Sequence, residues 1–167
     1  FYYHLVLLAE NNKGYDNLIK IVSYGFKDGF YYKPRVDIEL LEKYHEGIIA
    51  LSACLAGPVA RTIIRQSYDK GKEVALRYNN IFGENNFFLE LQDHMDGSVD
   101  QQTVNQSLMR MHQETGIPLV ATNDCHYISP EDAEAHDILL CIQTNTTVDE
   151  ADRMRYEGGQ YYVKSPE

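Results

Sequence analysis

Four short apolar runs punctuate this sequence, and the last three of them end in polar residues. They are Tyr2–Ala9, Gly47–Ser52, Asn86–Gln92 and the run that opens at Pro118 and closes at Thr122. Apolar runs this short, bounded by turn residues and rich in β-branched and aromatic side chains, predict strands rather than helices. The first predicts an interior strand and the second and fourth predict buried strands, as in a parallel sheet. The third alternates, with Glu90, Gln92 and His94 on one side.

The segments between them carry helical spacing. A turn at Asn11–Gly14 precedes a helix over Tyr15–Lys27, with Leu18, Ile19, Val22 and Phe26 in register and Gly29 at its end. Asp37 can cap a short helix through His45. Pro58 opens a helix through about Gln66 with Val59, Ile63 and Ile64 inward, and Tyr68–Phe82 follows. Val99–Thr115 places Val104, Leu108 and Met111 at helical intervals before Gly116, and Ser129-Pro-Glu-Asp starts a helix to about Thr144. Gly158–Glu167 reads as one more short strand. Strands alternating with helices give an α/β chain, either a parallel sheet or part of a barrel.

In such folds chemistry collects where the strands end. After the Pro118 strand comes Asn123-Asp-Cys-His-Tyr127. If the extended backbone persists past Thr122, Asp124 and His126 point the same way and could share one cation; the same spacing also suits a hydrogen-bonded loop pair. His4 lies in the first apolar run and Cys54 just beyond the second, while Glu90 and His94 are weaker candidates at the third. Imidazole, thiolate and carboxylate together suit zinc or manganese. Each has a plainer alternative: a core histidine, a small buried thiol, a surface carboxylate.

Composition narrows the class. The 167 residues, 44% of them hydrophobic, are enough for one domain with a real core. No apolar run is long enough to span a membrane, and no secretory leader is present, so a soluble cytoplasmic protein is expected. The chain starts at Phe1, inside a strand-like run, as a piece of a longer polypeptide would. Fifteen Lys and Arg against 25 Asp and Glu give a formal charge of −10. Phosphate backbones are repelled unless cations or a local basic patch intervene, so a poor nucleic-acid clamp is expected; Lys33 and Arg35 are an island of positive charge. Cys54, Cys125 and Cys141 are odd in number and unpaired in spacing, which predicts reduced thiols.

Six ordered motifs then point to a family. His4-Leu-Val-Leu-Leu-Ala, Gly14-Tyr-Asp-Asn-Leu, Lys33-Pro-Arg, Gly47-Ile-Ile-Ala-Leu-Ser-Ala-Cys-Leu-Ala-Gly, Thr122-Asn-Asp-Cys-His-Tyr and Tyr161-Tyr-Val-Lys-Ser-Pro-Glu resemble, over essentially the whole chain, the polymerase and histidinol phosphatase (PHP) domain of bacterial DNA polymerase III alpha subunits. The resemblance implies a distorted barrel of seven strand-helix units whose strand ends hold up to three divalent metal ions. It carries the ligand roles onto His4, Cys54, Asp124 and His126, with Asp124 and His126 also catalytic. Lys33 and Arg35 match a segment near the site and become candidates for phosphate contact, with a solvated charged face as the alternative. Glu90, His94 and His136 are not ligands in the family and take structural or surface roles.

The family's His-x-His, Asp-His and Glu-bearing motifs do not occur here. Residues 1–167 are therefore expected to be the C-terminal part of one PHP domain, ending at the junction to the polymerase palm. An incomplete ligand set predicts weak metal binding and negligible turnover by the chain alone, and missing strands predict an exposed, self-associating edge. The implied parent is a DNA-directed DNA polymerase, partnered with DNA and replicase subunits, with a metal-dependent exonuclease or pyrophosphatase site. Two alternatives remain: a non-catalytic scaffold that docks a proofreading subunit, and, ranked lower, a free-standing histidinol-phosphatase-like enzyme.

Overall fold

A computed structural model describes residues 2–95 and 97–165. The chain forms two compact units, Phe1–Leu91 with Thr103–Val120 and Gln92–Gln102 with Ala121–Glu167. The first is built on a four-stranded sheet of order β1-β2-β3-β4, comprising β1 (Val6–Ala9), β2 (Ile48–Leu51), β3 (Phe87–Leu91) and β4 (Leu119–Ala121). Among the described residues there are six α-helices, α1 (Asn12–Lys27), α2 (Ile38–Tyr44), α3 (Pro58–Arg65), α4 (Tyr68–Phe82), α5 (Val99–Thr115) and, in the second unit, α6 (Ala133–Thr144). The α/β class follows directly.

Helix boundaries obey local chemistry. Asp37 accepts a hydrogen bond from the backbone N–H of Leu40 and starts α2, Ser67 does the same for Lys70 in α4, and Pro58 occupies the first turn of α3. Gly83 and Gly116, with φ of 89° and 77°, stop α4 and α5. The core gathers Ile48 and Ala50 of β2, Phe87 and Leu89 of β3, Val59 and Ile63 of α3, and Val104, Leu108 and Met111 of α5.

Several expectations need correction. The sheet is mixed, because β1 pairs antiparallel with β2, whereas β2 and β3 are parallel. Strand direction depends on the connection, here two helices and a loop, and leaves no mark within the strand itself. β1 is also short and lies at the edge, with Val6 and Leu8 exposed, and His4 precedes it. An apolar edge strand and an interior strand have the same composition. Asn11–Gly14 is not a separate turn: the Asn11 side chain accepts from the Gly14 N–H, so these residues cap and begin α1. Ile19, Val22 and Phe26 are exposed while Ile21 is buried, and Ile64 of α3 is exposed. β4 has only three residues, half-buried to exposed. Gly158–Lys164 forms a tight turn and one parallel bridge, Tyr127 with Tyr162, in place of a strand; Pro166 and Glu167 lie outside the described residues.

Candidate functional site

The end of β2 carries the first pair of candidate donors. Ser52 is buried, and its Oγ accepts from the Glu90 N–H at 2.9 Å, tying β2 to β3. Ala53 then turns into left-handed backbone, φ 63°, and the Gly57 N–H donates to Cys54 O to close a tight turn. A Cβ on Gly57 would collide with the backbone oxygen of Ser52, so this turn requires glycine. The N–H of His4 donates to Ala56 O at 3.1 Å, which draws the segment before β1 onto the turn. The result places His4 Nδ1 3.7 Å from Cys54 Sγ.

Two ligands of one tetrahedral cation, at bond lengths of 2.0–2.3 Å, stand about 3.5 Å apart. The His4–Cys54 separation suits a shared metal ion. A cleft of about 300 Å³ adjoins it, lined by Tyr2, His4, Ala56 and Arg61. Arg61 was not among the candidates, although its place one turn into the helix that Pro58 opens is a usable signal.

The second unit carries the other pair. Backbone extension does not persist past Thr122 as the spacing argument required, because Asp124 is left-handed, φ 45°. The two side chains meet nonetheless, His126 Nε2 lying 3.4 Å from Asp124 Oδ1, again the separation of two ligands on one cation. Asn123 holds the loop by donating to the carbonyls of Gln160 and Tyr162, and the His126 N–H donates to Tyr161 O at 2.8 Å. Aromatic rings surround the imidazole: Tyr156 at 4.4 Å between centroids, His136 at 5.4 Å and Tyr161 at 5.7 Å. The phenol of Tyr156 is pushed above its ordinary pKa, first by burial and then by the negative charge of Asp124.

The Tyr156 segment is anchored by Arg153, whose nearly buried guanidinium makes a two-pronged ion pair with Asp137 of α6 at 2.5 Å. That pairing holds the Asp137 carboxyl below its usual pKa. Neither Tyr156 nor Arg153 was legible beforehand, since both lie in a polar stretch without periodicity.

Glu90 and His94, weighed as a surface carboxylate and a structural or surface histidine, are both buried. Glu90 is only 5% exposed, with its backbone N–H on Ser52 Oγ, and His94 stacks on Tyr161 at 4.2 Å. Among the described residues no group of three or more His, Cys, Asp and Glu side chains converges on one point. The donors come in twos. Lys33 and Arg35 sit over the Tyr2 ring at 5.7 and 5.3 Å, and Tyr2 in turn stacks on His4 at 6.4 Å. All three cysteines are free thiols.

A model of the PHP domain matches residues 1–94, more than half of the chain. This chain belongs to the PHP domain family. His4, Lys33, Arg35 and Cys54 fall inside the matched part of the PHP chain; Asp124 and His126 lie beyond it. The PHP chain is 45% identical over 165 residues to the DNA polymerase III subunit alpha of Borreliella burgdorferi, an alignment covering 99% of the chain and 14% of that protein. The corresponding proteins of Treponema pallidum and Thermus aquaticus are 43% and 42% identical over 166 residues, again across 99% of the chain. The chain thus spans about one-seventh of the length of these relatives. No described helix of the PHP chain is long and apolar enough to cross a membrane.

Proposed function

We propose that this chain is the C-terminal part of a single PHP domain within a bacterial, cytoplasmic DNA polymerase III alpha subunit, a DNA-directed DNA polymerase working with DNA and other replicase subunits. Its sheet is then a portion of a distorted barrel of seven strand-helix units whose N-terminal strands lie upstream, and residues 1–167 run to the junction with the polymerase palm. The PHP match and the similarity to DNA polymerase III alpha subunits support this reading.

Within that domain the site is a metal-dependent phosphoesterase, acting as a 3′ to 5′ exonuclease or a pyrophosphatase. One observation carries it: all four family-position donors occur in pairs with the spacing of ligands on a common cation, His4 with Cys54 and Asp124 with His126. Each pair would contribute ligands to zinc or manganese, which would lower the pKa of a water molecule and polarise a phosphoryl oxygen. Lys33 and Arg35 bind and orient phosphate. Tyr156 keeps its hydroxyl proton and walls off one face of His126.

In the full-length parent, Asp124→Ala and His126→Ala are expected to cut release of a 3′-terminal nucleotide from a labelled primer at least about a hundredfold, with polymerisation retained. Hydrolysis confined to small phosphate esters would sink the exonuclease assignment. The scaffold reading is favoured by the donors forming pairs only, among the described residues. It predicts that the same variants lose thermal stability in a parent that never hydrolysed anything.

A further inference from the structure

The segment between α1 and α2 has a feature that cation binding does not use. Phe30-Tyr-Tyr-Lys-Pro-Arg35 is a tight reversal, with the Tyr31 N–H donating to Lys33 O at 3.1 Å and an Arg35 guanidinium N–H to Tyr31 O at 2.7 Å. Its apex, Tyr32, is held in left-handed backbone, φ 59°, and is 83% exposed; Tyr31 is 64% exposed. A large ring in that backbone region is strained, and here the ring stands out in water.

The neighbouring contacts form a row. Tyr32 meets Tyr31 edge to face at 4.7 Å, Arg35 lies over Tyr31 at 5.0 Å and over Tyr2 at 5.3 Å, Lys33 lies over Tyr2 at 5.7 Å, and Tyr2 stacks on His4. Rings with two cations among them run from a solvent-exposed tip to one of the candidate metal ligands. Two further observations point to a ligand. Arg35 Nε is buried and meets no acceptor among the described residues. Tyr2, Phe26, Pro34 and Arg35 help to line a cleft of about 420 Å³.

We propose that Tyr2, Tyr31 and Tyr32, with Lys33 and Arg35, form a stacking platform for the unpaired bases of a single-stranded nucleic-acid end and lead that end toward His4. Exposed aromatic faces interleaved with cations are how proteins hold single strands without reading sequence. Because the chain carries a formal charge of −10, a bound phosphate backbone needs local cations, and Lys33 and Arg35 supply two beside the rings. The platform deepens the phosphoesterase reading by naming its substrate class, and rests on it only for the direction in which the strand runs.

The test uses the full-length protein and a single-stranded deoxyoligonucleotide bearing 5-iodouracil near its 3′ end, with photo-adducts mapped by mass spectrometry. Adducts are expected on Tyr31 or Tyr32, at least tenfold fewer from a blunt duplex of the same sequence. The affinity read from adduct yield should weaken about tenfold in Tyr32→Ala and recover in Tyr32→Phe. Asp124→Ala should leave the adducts in place, since stacking needs no cation. Adducts without any hydrolysis would retain the platform and remove the phosphoesterase reading; hydrolysis with no adduct between residues 30 and 35 would overturn the platform and spare that reading. Equal adducts from duplex, or strong amide-exchange protection of residues 30–35 before any oligonucleotide is added, would also overturn it.

Discussion

Ala53 and Asp124 both adopt left-handed backbone, and each stands within one loop of a candidate donor. A residue with a Cβ gives up roughly 1–2 kcal/mol in that region, aspartate less than most, so the surroundings must hold these turns in place. Gly57 is one such hold. Gly57→Ala would drive its methyl group into Ser52 O, open the turn that carries Cys54 and release Ala56 from the His4 N–H. The expected cost is about 2–3 kcal/mol of stability, with faster reaction of the Cys54 thiol toward a disulfide reagent; unchanged melting and unchanged thiol reactivity would refute this role. His4, Cys54, Asp124 and His126 became candidates from their places at strand ends and from the family resemblance. Their manner of meeting was not legible, because left-handed backbone at Asp124 leaves no trace in the residues around it.

Helices α4 and α5 are joined by one carboxylate. Glu114 accepts from Tyr68 Oη at 2.8 Å and from Lys72 Nζ at 2.7 Å, both on α4, and from Arg110 Nε at 2.7 Å one turn back on α5. These hydrogen bonds, led by that from Lys72, lower its pKa to about 2. A carboxylate held below its unfolded pKa adds stability above that unfolded value and loses it as pH falls through the folded one. Glu114→Gln should therefore melt a few degrees lower than the native protein at pH 7, with the gap closing between about pH 4.5 and pH 2; a gap independent of pH would exclude the ionic contribution. Both helices were legible end to end, since Ser67, Gly83 and Gly116 mark boundaries and the apolar period fills the interior. The direction of β1 was hidden, being a property of the connection to β2. Glu90 was misjudged for a related reason: its burial is set by tertiary packing, which no local pattern encodes.

At the scale of the molecule, an acidic chain concentrates aromatic and basic side chains on one loop, and pairs metal-type donors after β2 and after β4. Net charge alone argues against nucleic acid, so the proposed platform at Tyr2 and the Phe30–Arg35 loop rests on local arrangement alone. The α/β class was visible in the alternation of apolar runs and helical periods, whereas the division into two compact units was not, because no linker composition separates them. A working PHP metal site remains the central claim. Its most direct test is metal content by elemental analysis of the full-length parent after exhaustive dialysis, compared with Asp124→Ala. Zinc or manganese in the native protein, lost in the variant, is the predicted result; a native protein free of metal with His4, Cys54, Asp124 and His126 all intact would contradict it.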